Sequence, residues 1–427
     1  MHTTPLTGLV LSGGGARAAY QVGVLKALSR LRRTAGAARR QGGLGNPFGI
    51  ICGTSAGAIN AAALACQADR FDAAVQALEQ VWGQFRAEQV YRSDSLGVIR
   101  TGAQWLTMLS IGFVVARWRK ARPRSLLDNS PLADLLQQTI RWERLPQLLR
   151  HRHLQALAIT ASGYTRGEHV TFFQSATADL GWQRSQRQAR QVQLTHQHLL
   201  ASSAIPFVFP AAELEMDGHL EWFGDGSMRQ SAPLSPAIHL GAQRLLVIGA
   251  GRLHEPPSQR APETGYPNLA QIAGHALSSI FLDALSVDIE RLERINRTLS
   301  LLPEAARTAT HLRPIETLVI APSQRLDDIA ARHLSALPKP VRTLLRGAGV
   351  SGQGQEARGA SLASYLLFEA PFTQELMALG EADTLARRDE VIAFLSPVEP
   401  LSEANAPHIP PTANSVESHA PVLDRTS

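Results

Sequence analysis

Two apolar patterns alternate along the first 250 residues of this chain. Short unbroken runs at Leu9-Val10-Leu11, Phe48-Gly49-Ile50-Ile51-Cys52, Leu154 to Ala161 and Arg244 to Gly249 have the length of strands buried on both faces. After the first run, Val22, Leu25, Leu28 and Leu31 repeat at helical spacing, which predicts a helix to about Arg33; residues 56–88 read as two helices joined near Asp69. Strand, turn and helix in succession predict an α/β fold, a three-layer α/β/α sandwich around a mainly parallel sheet. His169 to Phe173 forms a hairpin partner for the 154–161 run across the Arg166-Gly167 turn, and Met216-Asp217-Gly218-His219 is a second hairpin signal. Ser130 caps a helix reaching about Trp142, with Pro131 in its first turn.

Beyond residue 250 the helical period dominates, over 267–298, 324–346, 361–378 and 380–395, with one strand at Glu316 to Ile320. The last 31 residues hold six prolines and few large apolar groups, so they read as a disordered tail. The domain reading is therefore a catalytic domain over 7–250 with a lid-like insertion at about 90–130, a helical extension over 251–396, and a tail over 397–427.

Composition adds compartment and partners. The 427 residues are 44% hydrophobic and 18% charged, with a net charge of +6, and only three of the 42 basic residues are lysines. An arginine bias suits phosphate groups, but spread over the whole chain it reads as a solvated surface, and no nucleic-acid partner is assigned. Cys52 and Cys66 sit in apolar surroundings and read as small buried hydrophobes in a reducing compartment. The first apolar run lacks a basic leader and is cut by Ser12 and three glycines, so the expectation is a cytoplasmic chain. Trp105 to Val115 is a largely apolar run of eleven residues, too short to span a bilayer, and Arg117, Arg119, Lys120, Arg122 and Arg124 follow it. Two readings stand: a buried lid helix, or a segment docking peripherally on a membrane through Trp105, Phe113, Arg117 and Arg119.

The chemistry centres on Gly53-Thr54-Ser55-Ala56-Gly57, a G-x-S-x-G pattern between an apolar strand and an Ala-rich helix. That order is the nucleophile elbow of serine acyl hydrolases, in which a sharp turn lifts the serine out of the sheet. Gly13-Gly14-Gly15-Ala16-Arg17 makes a similar turn after the first strand and leaves backbone N–H groups uncovered. The loop has two uses. G-x-G-x-x-A through Gly13, Gly15 and Ala18 suits a dinucleotide, yet no acid for a ribose occurs before Asp69. An oxyanion hole for Ser55, in the next strand-turn-helix unit, is the other. For the base, His196, His198, His219 and His239 read as surface residues, and the His196/His198 pair lacks further ligands for a metal. Asp225, between Gly224 and Gly226 at the end of an aromatic run, presents one carboxylate on a tight turn.

These three motifs in this order resemble the patatin-like phospholipases. The resemblance spans about residues 7–250 and includes Ala201-Ser202-Ser203-Ala204-Ile205-Pro206, while Asp288 to Asn296 is similar to bacterial members. It implies a lipid acyl hydrolase with a dyad of Ser55 and Asp225, an oxyanion hole at Gly13, Gly14 and Gly15, Arg17 holding that loop, Gly53 and Gly57 shaping the elbow, and Gly226 the turn after the base. It implies an acyl-lipid substrate and no metal or other cofactor. An esterase or thioesterase on soluble substrates, and a silent lipid-binding module, are the alternatives. Two positions depart from the family pattern: Ala18 stands where many members have glycine, and Ser227 follows Gly226 where glycine or alanine is usual.

Overall fold

The computed structural model describes residues 5–39, 45–93, 125–177, 181–252, 266–310, 312–354 and 357–396. The 94–124 stretch, with Trp105, Phe113, Arg117 and Arg119, and the 397–427 tail lie outside the described residues. The described residues belong to one compact unit, Pro5–Ser396.

The strands are β1 (Thr7–Leu11), β2 (Ile50–Thr54), β3 (Ala156–Gly163), β4 (His169–Ser175), β5 (Gln183–Arg184), β6 (Arg187–Gln191), β7 (Ala212–Met216), β8 (His219–Asp225), β9 (Arg244–Ile248) and β10 (Glu316–Ile320). They form one sheet in the order β10-β9-β1-β2-β3-β4-β6-β5, with β8 joined to β3 and β7 to β8. From β10 to β3 all pairs are parallel, whereas β3–β4, β3–β8, β5–β6 and β7–β8 are antiparallel, so the sheet is mixed.

Alternation along these strands feeds two cores. Leu9, Leu11, Ile51, Leu157, Ile159, Leu246 and Ile248 point to one face, and Val10, Ile50, Cys52, Ala156, Ala158, Leu245 and Val247 to the other. The first face is covered by α1 (Ala19–Arg39), α2 (Ala56–Ala65) and α3 (Phe71–Gly83), and the second by the short helix Ser235–His239 and the helix Ala284–Leu301. Burial on both faces is why the strands read as unbroken apolar runs.

Several boundaries differ from the sequence reading, each for a local reason. Helix α1 continues to Arg39, through residues dominated by strong helix formers. The cap before Pro131 is Asn129; Ser130 is already helical, its N–H bound by the Asp128 carboxylate, and the helix ends at Thr139 because Ile140 is extended. The 324–346 helix is split into Leu326–His333 and Lys339–Gly347, since Leu337 before Pro338 is forced out of helical angles. Gly380 interrupts nothing: it lies inside the helix Ala370–Ala386, where a β-carbon would come within 2.2 Å of the Tyr20 carbonyl oxygen on α1. The helical run Leu269–Leu301, with a π segment at Ser279–Asp283, is long and apolar enough to cross a membrane by length and composition. Core helices meet the same test, and Phe281, Leu285, Ile289 and Leu292 here pack into the cores.

Candidate active site

Strand register brings the motifs together. β2 ends at Thr54 opposite Thr160, and β8 ends at Asp225 opposite Ala161, the next residue of β3. β4 occupies the other edge of β3 over both positions. β2 and β8 therefore approach head to head along one edge, and residues 170 apart in sequence meet: Ser55 Oγ donates to Asp225 Oδ2 at 2.6 Å.

Ser55 stands between strand and helix at φ 56° and ψ −131°, angles that residues with a β-carbon avoid. The strain is held by its surroundings. Ser55 N–H donates to Ser202 Oγ at 2.9 Å, and that hydroxyl donates to the Thr160 carbonyl at 2.6 Å. On Gly57 a β-carbon would lie 2.4 Å from the Leu11 carbonyl oxygen, and on Gly53 2.5 Å from that of Gly57. Only residues without side chains let the first turn of α2 press against the end of β1, where the glycine loop begins.

Asp225 is fully buried. Burial pushes its carboxyl up to about 6, and hydrogen bonds from Ser55 and Ser227 pull the other way. The Ser227 N–H donates to Oδ1 at 2.8 Å, leaving Oδ2 for Ser55. The turn is tied to the segment after the Ser202 helix: Asp225 N–H donates to the Ala204 carbonyl at 3.0 Å, and Gly226 N–H to that of Ser202 at 3.1 Å. A β-carbon on Gly226 would lie 2.0 Å from the Thr160 carbonyl oxygen, so the turn closes only with glycine.

Gly13, Gly14 and Gly15 follow β1, and among the described residues their N–H groups donate to no protein acceptor. Gly15 is left-handed at φ +55°, and it lines the same cavity as Ser55. The Ala16 N–H donates to the Tyr365 carbonyl at 3.0 Å. Buried Arg17 donates from Nε to Ser364 Oγ at 2.8 Å, pairs with Asp327, and lies 4.0 Å over the Tyr365 ring. Its guanidinium is thus committed to the C-terminal helices.

The cavity beside Ser55 measures ≈ 190 Å³. Ala56, Ile59 and Ala63 line it along one side of α2, with Gln67 just past its end, facing Leu78 and Val81 of α3 and Leu132 and Leu136 of the helix Ser130–Thr139. Those spacings place a groove of helical period beside Ser55, apolar almost throughout.

The histidines considered as bases lie elsewhere. His198 caps its own helix through Thr195, and burial lowers its pKa to about 4. His196 Nε2 is 3.2 Å from the Ile140 carbonyl, His239 stacks on Trp182, and His219 is exposed at a hairpin. Cys52 and Cys66 are free and buried; burial pushes the Cys66 thiol up to about 12.

Residues 9–238, more than half the chain, match the family model for patatin-like phospholipases. The chain belongs to that family. As a patatin-like phospholipase it is, in general terms, a lipid acyl hydrolase. Solved structures similar to it include VipD from Legionella pneumophila, at 13% identity and a TM-score of 0.27, with 88% of this chain and 67% of that one covered. Human GIVD cytosolic phospholipase A2, solved with a fluorophosphonate inhibitor, is 14% identical with a TM-score of 0.41, covering 92% of this chain and 59% of that one. The type III effector protein ExoU is 16% identical with a TM-score of 0.25, covering 92% and 88%. No curated protein matches the sequence.

The family match ends at residue 238, yet Asp327, Ser364 and Tyr365 hold the patatin glycine loop. Sequence reading gave these three no role, and assigned none to Ser202, whose only signal was its place in the Ala201 to Pro206 block. It also passed over His169, a buried β4 residue that interacts with the Gly226 backbone. A polar residue inside an apolar strand was the available sign.

Proposed function

We propose that this patatin-like phospholipase cleaves ester bonds of phospholipids or related acyl lipids through a dyad of Ser55 and Asp225. The observation that carries the reading is the 2.6 Å hydrogen bond from the strained elbow serine to a buried carboxylate. The Ser55 hydroxyl gives its proton to Asp225 as Oγ bonds to the ester carbonyl carbon, and the N–H groups of Gly13, Gly14 and Gly15 face the oxyanion. Collapse of the tetrahedral species breaks the bond to the leaving alcohol, which takes the proton from Asp225. Water then attacks the acyl-enzyme, giving its proton to Asp225, and Ser55 recovers that proton as the fatty acid leaves. A carboxyl poised at about 6 is mostly ionised at neutral pH and remains a stronger base than an exposed carboxylate.

The apolar groove along α2 supports a long acyl chain as the group bound beside Ser55. Arg17 acts through the glycine loop it anchors rather than as a donor to the substrate. Trp105, Phe113, Arg117 and Arg119 are proposed to bring the enzyme to an anionic bilayer. Incubation with a panel of phospholipids, lysophospholipids, triacylglycerols and acyl thioesters, with mass spectrometry of released fatty acid, tests the reading. Release from phospholipid by the wild type and none by Ser55→Ala is expected, and turnover confined to short soluble esters or thioesters would overturn the lipid assignment.

A further inference from the structure

The turn that carries the base contains a buried hydroxyl with nothing obvious to do. Ser227 is 4% exposed, and its Oγ completes no hydrogen bond of good geometry. Buried polar atoms are nearly always satisfied, so an exception asks for a reason. Two contacts define its place. Its own N–H holds Asp225 Oδ1 at 2.8 Å, and its Oγ lies 2.3 Å from where a β-carbon on Gly13 would stand. The hydroxyl is thus wedged between the glycine loop and the base.

We propose that the Ser227 hydroxyl is a positioning residue for the base, a second hand on Asp225 Oδ1 that keeps Oδ2 turned to Ser55. The inference rests on the dyad reading above. A hydroxyl has one rotatable proton, and the carboxylate beside it is the strongest acceptor in reach. Donation favours the ionised carboxyl, and Ser227 pulls Asp225 downward against the upward push of burial, first through its N–H and then through its hydroxyl. The other groups packed around this turn do not replace it. Tyr164 is kept neutral by burial and by the Asp225 charge, and His169, on β4, is lowered to about 4 by burial and stays neutral. Besides the Ser227 N–H on Oδ1, the carboxylate accepts from the Ser55 hydroxyl, which must give up that bond during the reaction.

Ser227→Ala removes only the hydroxyl and keeps the N–H that holds Asp225 Oδ1. The pH dependence of kcat/KM for p-nitrophenyl butyrate, and of labelling by a fluorophosphonate, should then show the acid limb moved to higher pH by about half a unit, a threefold loss on that limb. Thermal melting should remain cooperative and near the wild-type midpoint. In parallel, carbon-13 NMR of the Asp225 carboxyl, its resonance identified by loss in Asp225→Asn, should report the same upward displacement. Coincident titration curves for wild type and Ser227→Ala, or a rate loss equal at every pH, would overturn the proposal. If the wild type neither turns over the ester nor takes the label, the dyad reading fails, while the NMR titration still decides whether Ser227 acts on the carboxylate.

Discussion

Replacing Asp225 by asparagine is expected to stabilise the fold while abolishing hydrolysis. The carboxyl is fully buried, and loss of hydration is the main cause of its rise from 3.8 to about 6. Because the folded-state value lies above the unfolded one, the folded protein holds this proton more tightly than the unfolded chain. The stabilisation from that proton is complete below about pH 4 and is lost as the pH climbs through about 6, so the folded state bears the whole penalty at neutral pH. At 1.36 kcal/mol per pH unit, a rise of this size corresponds to roughly 3 kcal/mol. An amide of the same shape carries no charge to desolvate and keeps an oxygen for the Ser227 N–H. That rise is already net of the hydrogen bonds from Ser55 and Ser227, which favour the ionised carboxyl and oppose the push of burial. Thermal denaturation of wild type and Asp225→Asn at pH 4, 6 and 8 measures the effect. The asparagine variant should match the wild type at pH 4 and exceed it by a few degrees at pH 8, with the gap opening between those values. A gap that ignores pH, or a variant less stable than wild type at pH 8, would refute the claim that the base is held ionised at the expense of stability.

Three further outcomes follow from the same geometry. Ser55→Ala should lose all ester hydrolysis and fluorophosphonate labelling while melting normally, whereas alanine at His196, His198, His219 or His239 should each retain most activity; a folded histidine variant as inactive as Ser55→Ala would falsify the two-residue mechanism. Gly14→Ala puts a β-carbon 2.6 Å from that of Ala250, so the loop must shift, and kcat should fall by about 100- to 1000-fold with a smaller change in KM; a pure KM effect, or NADPH binding by the wild type, would return the loop to the dinucleotide reading. Ala63→Phe fills the groove eight residues beyond Ser55 and should lower kcat/KM for long acyl chains by about tenfold or more while sparing a butyrate ester; equal loss on both would show that the groove is not where the acyl chain lies.

Local features of the chain carried the elbow, the glycine loop and the acid turn, because each depends on residues within a few positions of one another. Gly53 and Gly57 around Ser55, three glycines after Leu11, and glycines on both sides of Asp225 announce places where the backbone turns sharply or another segment presses close. The strands were legible for a similar reason, since burial on both faces demands unbroken apolar runs. Gly380 shows the limit of such reading: it looks like a helix end, yet it serves a helix contact with Tyr20 more than 350 residues away.

The order of residues by itself therefore determined the strand-turn-helix units and the chemistry each could present. Tertiary structure decided which of them meet. No pattern near Asp225 says that β8 will run head to head with β2 along one edge of β3, because that register is set by pairings over more than 60 residues. Nor could local pattern show that Ser202 steadies Ser55, that Ser227 is shut in beside Asp225, or that Asp327, Ser364 and Tyr365 brace the glycine loop from beyond the family match. A polar side chain's role depends on what is brought against it once water is excluded, and that neighbour is supplied by the packed fold.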